Sequence, residues 1–224
     1  MSSSQKNIFK VMAIGVFALI VLWVVGTDFG SVNKVFSPHK IELDYYARDL
    51  GAQDIKDITA EMLREKATHV NIGFSPLKSE SLYPLIEALP NSDVVSLNIA
   101  ENEILGDQAI EKLSQILPQT KLKELRFCSG QVSGKGLDAL TKVIEQTSLE
   151  FLDMGDNRFQ GDDLDPFLKV LPKTKLRTLY MNGSGLGVEQ AKILHDILPS
   201  TQIEELYLNA NMLDDDGILL ITEI

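Results

Sequence analysis

Met181-Asn-Gly-Ser-Gly-Leu-Gly187 sets Gly183, Gly185 and Gly187 at alternate positions, a composition that could let backbone amides approach a phosphate. A dinucleotide site needs Gly-x-Gly-x-x-Gly in a larger βαβ unit, with an acid about twenty residues on; the third spacing here is wrong. Gly130-Gln-Val-Ser-Gly-Lys-Gly136 has three residues where a phosphate loop has four, and Gly136 stands where that loop places its metal-binding Ser or Thr. Both runs read as turns between elements. Two acidic clusters, Gly161-Asp162-Asp163 and Asp214-Asp215-Asp216-Gly217, raise calcium chemistry. Taking Gly217 as the sixth residue of a calcium loop puts Met212 at position one, and taking Gly161 puts Arg158 at position three. Acids just ahead of a helix read better as caps that complement its dipole. Cys128, the single cysteine, excludes an internal disulfide and a multi-cysteine zinc site, and with no basic neighbour it reads as a small half-buried residue. His39, His69 and His195 are far apart, and neither Gly-x-Ser-x-Gly nor His-Glu-x-x-His occurs. Asn182-Gly-Ser184 is a glycosylation acceptor only in a eukaryotic secretory setting. No catalytic, cofactor-binding or metal-binding residue is expected.

The elements carrying these residues repeat. Leu97, Leu125, Leu152, Leu179 and Leu206 are spaced by 28, 27, 27 and 27 residues. Two degenerate units precede them, with Val70, Ile72 and Ser75, then Leu43, Tyr45 and Arg48, each stepping back 27. The array therefore covers Lys40 to Ile224 in seven units. Each unit reads L-x-x-L-x-L-x-x-N-x-L, followed by about ten residues with helical apolar spacing and often Leu-Pro. The first half alternates with period two, as in Leu179 and Met181, and predicts a short strand. In Val188–Leu198 the second half sets Ala191, Leu194, Ile197 and Leu198 on one helix face. Pro90, Pro118, Pro172 and Pro199 end the helices. One strand-helix unit cannot bury both apolar faces alone. The expected fold is an α/β solenoid, with a parallel sheet on the concave face, helices on the convex face and leucines between.

These residues resemble the ribonuclease-inhibitor-like class of leucine-rich repeat proteins, over about four-fifths of the chain. The resemblance implies a horseshoe arc and a protein-binding scaffold. It also implies that Asn102, Asn157 and Asn211 bond backbone in the turn after each strand. Gly130 and Ser184 replace that asparagine in two units, where looser turns are expected. Ran GTPase-activating proteins share this repeat class, so regulation of a GTPase is one alternative function.

The chain of 224 residues carries a formal charge of −11. Residues 1–26 hold two lysines and no acid, so the remainder has 19 basic against 32 acidic residues, or −13. Such a body repels nucleic acid and anionic lipid surfaces, and nucleic-acid binding is not expected. Val11 to Thr27 is 17 residues without a charge, about 26 Å as a helix. Counting back to Ile8, with Lys10 snorkelling, it is long enough to span, and Trp23 suits an interface. The expected organisation is a short cytoplasmic N-terminus (1–10), a transmembrane signal-anchor segment (11–27), a linker (28–39) and the repeats (40–224). Lys6 and Lys10 before the segment and Asp28 after it keep the N-terminus cytoplasmic and place the repeats on the other side. The alternative is a signal peptide cut after Gly26, which would release a secreted protein.

Side chains flanking the buried strand leucines point outward onto the sheet. The candidate partner surface is Asp44, Asn71, Asn98, Glu124, Arg126, Phe151, Asp153, Tyr180, Glu205 and Tyr207. It is acidic at both ends, with Phe151, Tyr180 and Tyr207 as aromatic anchors, and it suits a basic or mixed-charge protein segment. A purely structural, envelope-tethered spacer is the other alternative. By register the residue matching Leu198 in the last unit would be position 225, so the repeat is incomplete and its end apolar, which leaves three readings: a truncated sequence, a frayed helix, or an end-to-end contact in which another chain covers the edge.

Overall fold

The computed structural model describes the backbone of residues 9–11 and 21–24 and all of residues 40–102 and 105–222. Seven parallel strands run in sequence order across one sheet: β3 (Glu42–Asp44), β4 (His69–Asn71), β5 (Ser96–Asn98), β6 (Glu124–Arg126), β7 (Phe151–Asp153), β8 (Thr178–Tyr180) and β9 (Glu205–Tyr207). Their register pairs equivalent residues without a slip: Leu43, Val70, Leu97, Leu125, Leu152, Leu179 and Leu206 form one row. That row is the inner face, fully buried in the centre and 9% exposed at Leu43, where the stack begins. Two short strands, β1 (Phe9–Val11) and β2 (Val21–Val24), lie antiparallel beyond β9.

Helices α1 (Ala52–Glu65), α2 (Ser79–Ala88), α3 (Gly106–Ile116), α4 (Gly134–Thr141), α5 (Gly161–Val170), α6 (Val188–Ile197) and α7 (Asp215–Thr222) form the second layer, each packed on the next. In α6 the expected face is buried through Ala191 and Leu194, and Leu198 continues it. Ile197 is only partly covered. The helices end as the prolines require, but they tighten into one turn of 3-10 helix at Leu89–Asn91, Leu117–Gln119, Ile144–Gln146, Leu171–Lys173 and Leu198–Ser200. The Ile144–Gln146 turn contains no proline, so the proline is not what imposes it. A hydroxyl recurs instead. Ser92, Thr120, Thr147, Thr174 and Thr201 each donate to the carbonyl three residues back, at 2.8–2.9 Å, and satisfy an acceptor the helix end leaves open.

The turn after each strand is held across the repeats. The Asn157 Nδ2 donates to the carbonyls of Met154 (2.9 Å), Phe127 (3.2 Å) and Gly155 (3.3 Å), while its Oδ1 accepts from the amides of Gly130 (3.1 Å) and Val132 (3.0 Å). Asn102 makes the same set with Ile99, Ile72 and Ala100 as acceptors and Ser75 and Leu77 as donors. Asn211 does so with Leu208, Met181 and Asn209, and with Ser184 and Leu186. Each asparagine therefore also closes the turn of the unit before it. This corrects the expectation that the Gly130 and Ser184 turns are loose: their amides are bonded by the asparagine of the following unit.

Of the apolar run 11–27, the described residues are Val11 and Val21–Val24, which have strand geometry. The rest of the run, the linker 28–39 and His39 lie outside the described residues. Among the described residues no helix is long and apolar enough to cross a membrane.

Candidate protein-binding surface

Each of the strands β3 to β9 presents its first and third side chains on the face opposite the helices, because neighbours alternate across a pleated strand. The pairing aligns them in two rows. One contains Glu42, His69, Ser96, Glu124, Phe151, Thr178 and Glu205; the other contains Asp44, Asn71, Asn98, Arg126, Asp153, Tyr180 and Tyr207. All ten residues of the sequence-derived surface fall in these rows, so the structure brings them onto one face. The rows carry five carboxylates (Glu42, Asp44, Glu124, Asp153, Glu205) against the Arg126 guanidinium.

The two halves of this face do different work. Toward the N-terminal end the polar side chains are engaged by the turns beside them. Asp44 Oδ1 accepts from the Tyr46 amide (3.1 Å) and from Asn71 Nδ2 (2.9 Å), and Asn71 Oδ1 from the Gly73 amide (3.3 Å) and Asn98 Nδ2 (2.9 Å). Asn98 Oδ1 accepts from Ala100 (3.0 Å), and Asp153 Oδ1 from Gly155 (3.2 Å). Each caps the amide two residues on, the usual local bond of Asx side chains. These residues hold the turns first.

From β6 to β9 the third strand position is Arg126, Asp153, Tyr180 and Tyr207; Asp153 keeps its cap, while Arg126 and the two tyrosines stack with Phe151 of the first row. Glu124 accepts from Ser96 Oγ (2.9 Å) and pairs with Arg126 at 3.4 Å. The Arg126 guanidinium lies 4.2 Å over the Phe151 ring. Phe151 meets Tyr180 with ring centres 5.4 Å apart, tilted by 38°, and Tyr180 stacks on Tyr207 at 3.9 Å and 6°. The Tyr207 hydroxyl donates to Glu205 at 3.4 Å. The result is a continuous ladder, Arg126–Phe151–Tyr180–Tyr207, half-buried and stiffened by contacts worth about 0.5–1.5 kcal/mol each. Where Tyr207 replaces an Asx cap, the Asn209 amide two residues on donates instead to Asn182 Oδ1 of the preceding repeat, at 2.9 Å.

The titrating groups on this face are ordinary in function. Burial pushes the Asp153 carboxyl upward, partly opposed by the Gly155 amide, Cys128 and Arg126. Burial beside Asp153 pushes the Cys128 thiol up to about 12, so it is not an activated nucleophile. The Tyr180 hydroxyl is raised by burial and by Tyr207, and stays protonated. Burial lowers His69, whose Nδ1 lies 2.8 Å from the Thr68 hydroxyl, while His195 Nδ1 sits 2.8 Å from the Leu220 carbonyl and ties α6 to α7.

The remaining chemical motifs resolve into structure. Gly183 and Gly185 have φ of +53° and +73° and form the turn after β8. Asp163 Oδ2 accepts the Gln160 amide (2.8 Å) and Asp214 Oδ1 the Gly217 amide (2.9 Å), so these acids cap helices. Among the described residues no group of three or more His, Cys, Asp or Glu could hold a metal ion.

One aromatic pair escaped the sequence reading. Tyr46 and Phe74 stack at 5.9 Å and 26° on the turns just beyond β3 and β4. They are 28 residues apart, one more than the period, so they are not equivalent positions, and the repeat alignment did not pair them.

No protein-family model matches the sequence, and no curated protein shows significant similarity to it. Solved structures do resemble the fold. Leiomodin-1 actin-binding site 2 is 21% identical with a TM-score of 0.50, over 56% of this chain and 78% of that one. An internalin (inlF) from Listeria monocytogenes is 16% identical with a TM-score of 0.49, over 82% of this chain. The chain spans 52% of that internalin's length. With the seven-stranded parallel sheet and its outer helices, the leiomodin likeness identifies the architecture as a leucine-rich repeat solenoid.

Proposed function

We propose that this protein is a non-enzymatic, membrane-tethered binding module of the ribonuclease-inhibitor-like type, which captures a basic or mixed-charge protein segment on the concave face of its repeats. The observation that supports this reading is the Arg126–Phe151–Tyr180–Tyr207 ladder. Stacking fixes its side chains before binding, so little rotamer entropy is lost when a partner docks. Glu205, Asp153 and Glu124 border it and supply the field that steers a basic segment toward the rings. Leiomodin-1, where a solenoid of this fold carries an actin-binding site, is a precedent for the fold and not for the partner. Residues 11–27 are the proposed anchor, with the repeats outside the cytoplasm.

Replacing Phe151, Tyr180 and Tyr207 together with alanine should abolish capture of a partner identified by crosslinking to the wild-type repeats. The variant should retain a cooperative unfolding transition. Undiminished capture by the folded variant overturns the reading.

A further inference from the structure

The fold requires one residue in the left-handed region in every turn after a strand. Ala47, Phe74, Glu101, Ser129, Asp156, Gly183 and Ala210 occupy it in successive repeats, all with φ between 53° and 58°. Glycine suits this position, and a bulky side chain there is strained because its Cβ crowds the following carbonyl. Phe74 is the large one, and it gains little core burial in return, since it is 56% exposed. What it does contact is Tyr46, itself 45% exposed, whose hydroxyl donates to Glu101 Oε1 at 3.2 Å. Gly73, next to Phe74, and Ala100, in the turn of the following repeat, are buried beneath this rim. Carboxylates stand on both sides. Glu101 Oε1 takes the tyrosine hydroxyl and Asp44 Oδ1 takes Tyr46 N and Asn71, while the second oxygen of each has no partner among the described residues.

From this geometry we infer that Tyr46, Phe74, Glu101 and Asp44 form a second anchor site on the rim of the sheet, which binds an arginine or lysine side chain of a basic protein segment. The alkyl stem lies over the exposed faces of the two rings, and the cationic head reaches the Glu101 and Asp44 carboxylates. A cation over an aromatic face is attracted by the ring's electron cloud, the more so once the partner excludes water. The rings of the rim site belong to the first two repeats, with Glu101 on the third, and the Tyr180–Tyr207 stack belongs to the sixth and seventh. Five strand spacings of about 4.8 Å separate them, roughly 24 Å, so one cation cannot occupy both. The inference shares the basic partner with the proposed function but uses a different site.

The test is a titration of the full-length chain, with ring-labelled Tyr and Phe, by the peptide acetyl-Gly-Arg-Gly-Arg-Gly-amide, followed by NMR at 150 mM salt. The expected result is saturable shifts of the Tyr46 and Phe74 rings and, in uniformly nitrogen-labelled chain, of the Gly73 and Glu101 amides beside them, with binding read at those amides at least tenfold weaker in Tyr46→Ala/Phe74→Ala, a variant that keeps every charge. Glu101→Gln, which leaves both rings in place, should weaken it about threefold and serves if the alanine pair loosens the first repeat. If the Tyr180 and Tyr207 rings move while the rim rings stay still, the rim site is overturned and the concave reading stands. If the rim moves alone, the rim site stands and the basic-segment reading of the concave ladder falls. Shifts that persist unchanged in both variants, or no shifts anywhere, overturn the rim site.

Discussion

Asn157 shows how much one side chain carries when both its ends are used. Its amide serves three carbonyls and two amides in two different repeats. Asn157→Ala should destabilise the chain by about 2–3 kcal/mol, because it leaves the Gly130 and Val132 amides unpaired, and a denaturant midpoint would show it. Cys128 and Asp153 make a second case. With its pKa pushed up to about 12 from 9.0, the thiol is a thiolate roughly a thousandfold less often at pH 8 than an unperturbed one. Alkylation of native Cys128 at pH 8 should be slower than that of the unfolded chain by a factor of this order, and Asp153→Asn should speed it. The sign for stability follows: the folded thiol keeps its proton after the unfolded one has lost it. Its contribution is therefore whole below about pH 9 and declines as the pH rises toward 12. The Cys128→Ala variant should lose stability less steeply over that window.

The repeat unit is built from two recurrent devices that a pattern of leucines does not contain. One is the hydroxyl that closes each 3-10 turn; the other is the left-handed residue after each strand. Ala47→Gly and Ala210→Gly should each stabilise the chain by about 0.5–1 kcal/mol, since both sit at φ near 57° and glycine takes that conformation without steric cost. Gly183→Ala should destabilise it, because its new Cβ would meet the Asp156 carboxylate as well as the strained backbone. Thermal unfolding of the three variants checks both signs. A gain in Gly183→Ala, or a loss in both alanine-to-glycine variants, would show that the turns do not depend on this backbone state.

Along the described repeats each strand and helix packs chiefly on its neighbours in the array, so stability is close to a sum of unit and interface contributions. Amide exchange should be slowest in β5 to β8, which have repeats on both sides, and faster in β3 and α1 at the end where Leu43 is already partly exposed. Uniform protection from β3 to β8 would contradict nearest-neighbour stacking. The same scale decides orientation in the cell. Protease added to intact cells should digest a C-terminal tag while the chain stays membrane-associated; a tag protected until the cells are permeabilised would place the repeats in the cytosol.

Sequence alone determined the period, the strand and helix halves of each unit, the buried row from Leu43 to Leu206 and the two outward rows that hold all ten surface residues. These are local properties, because alternation and helical spacing are written within one unit and the 27-residue step copies them. Only the tertiary structure decided what those outward side chains do. Asp44, Asn71 and Asn98 proved to be committed to their turns, Asn157 to serve the Gly130 turn, and Arg126, Phe151, Tyr180 and Tyr207 to stack into one ladder. Tyr46 and Phe74 meet although they are not equivalent positions. Apart from the local turn caps, each of these contacts joins residues one repeat apart, at about 27 positions in sequence and one strand spacing in space. That proximity exists only once the units have stacked.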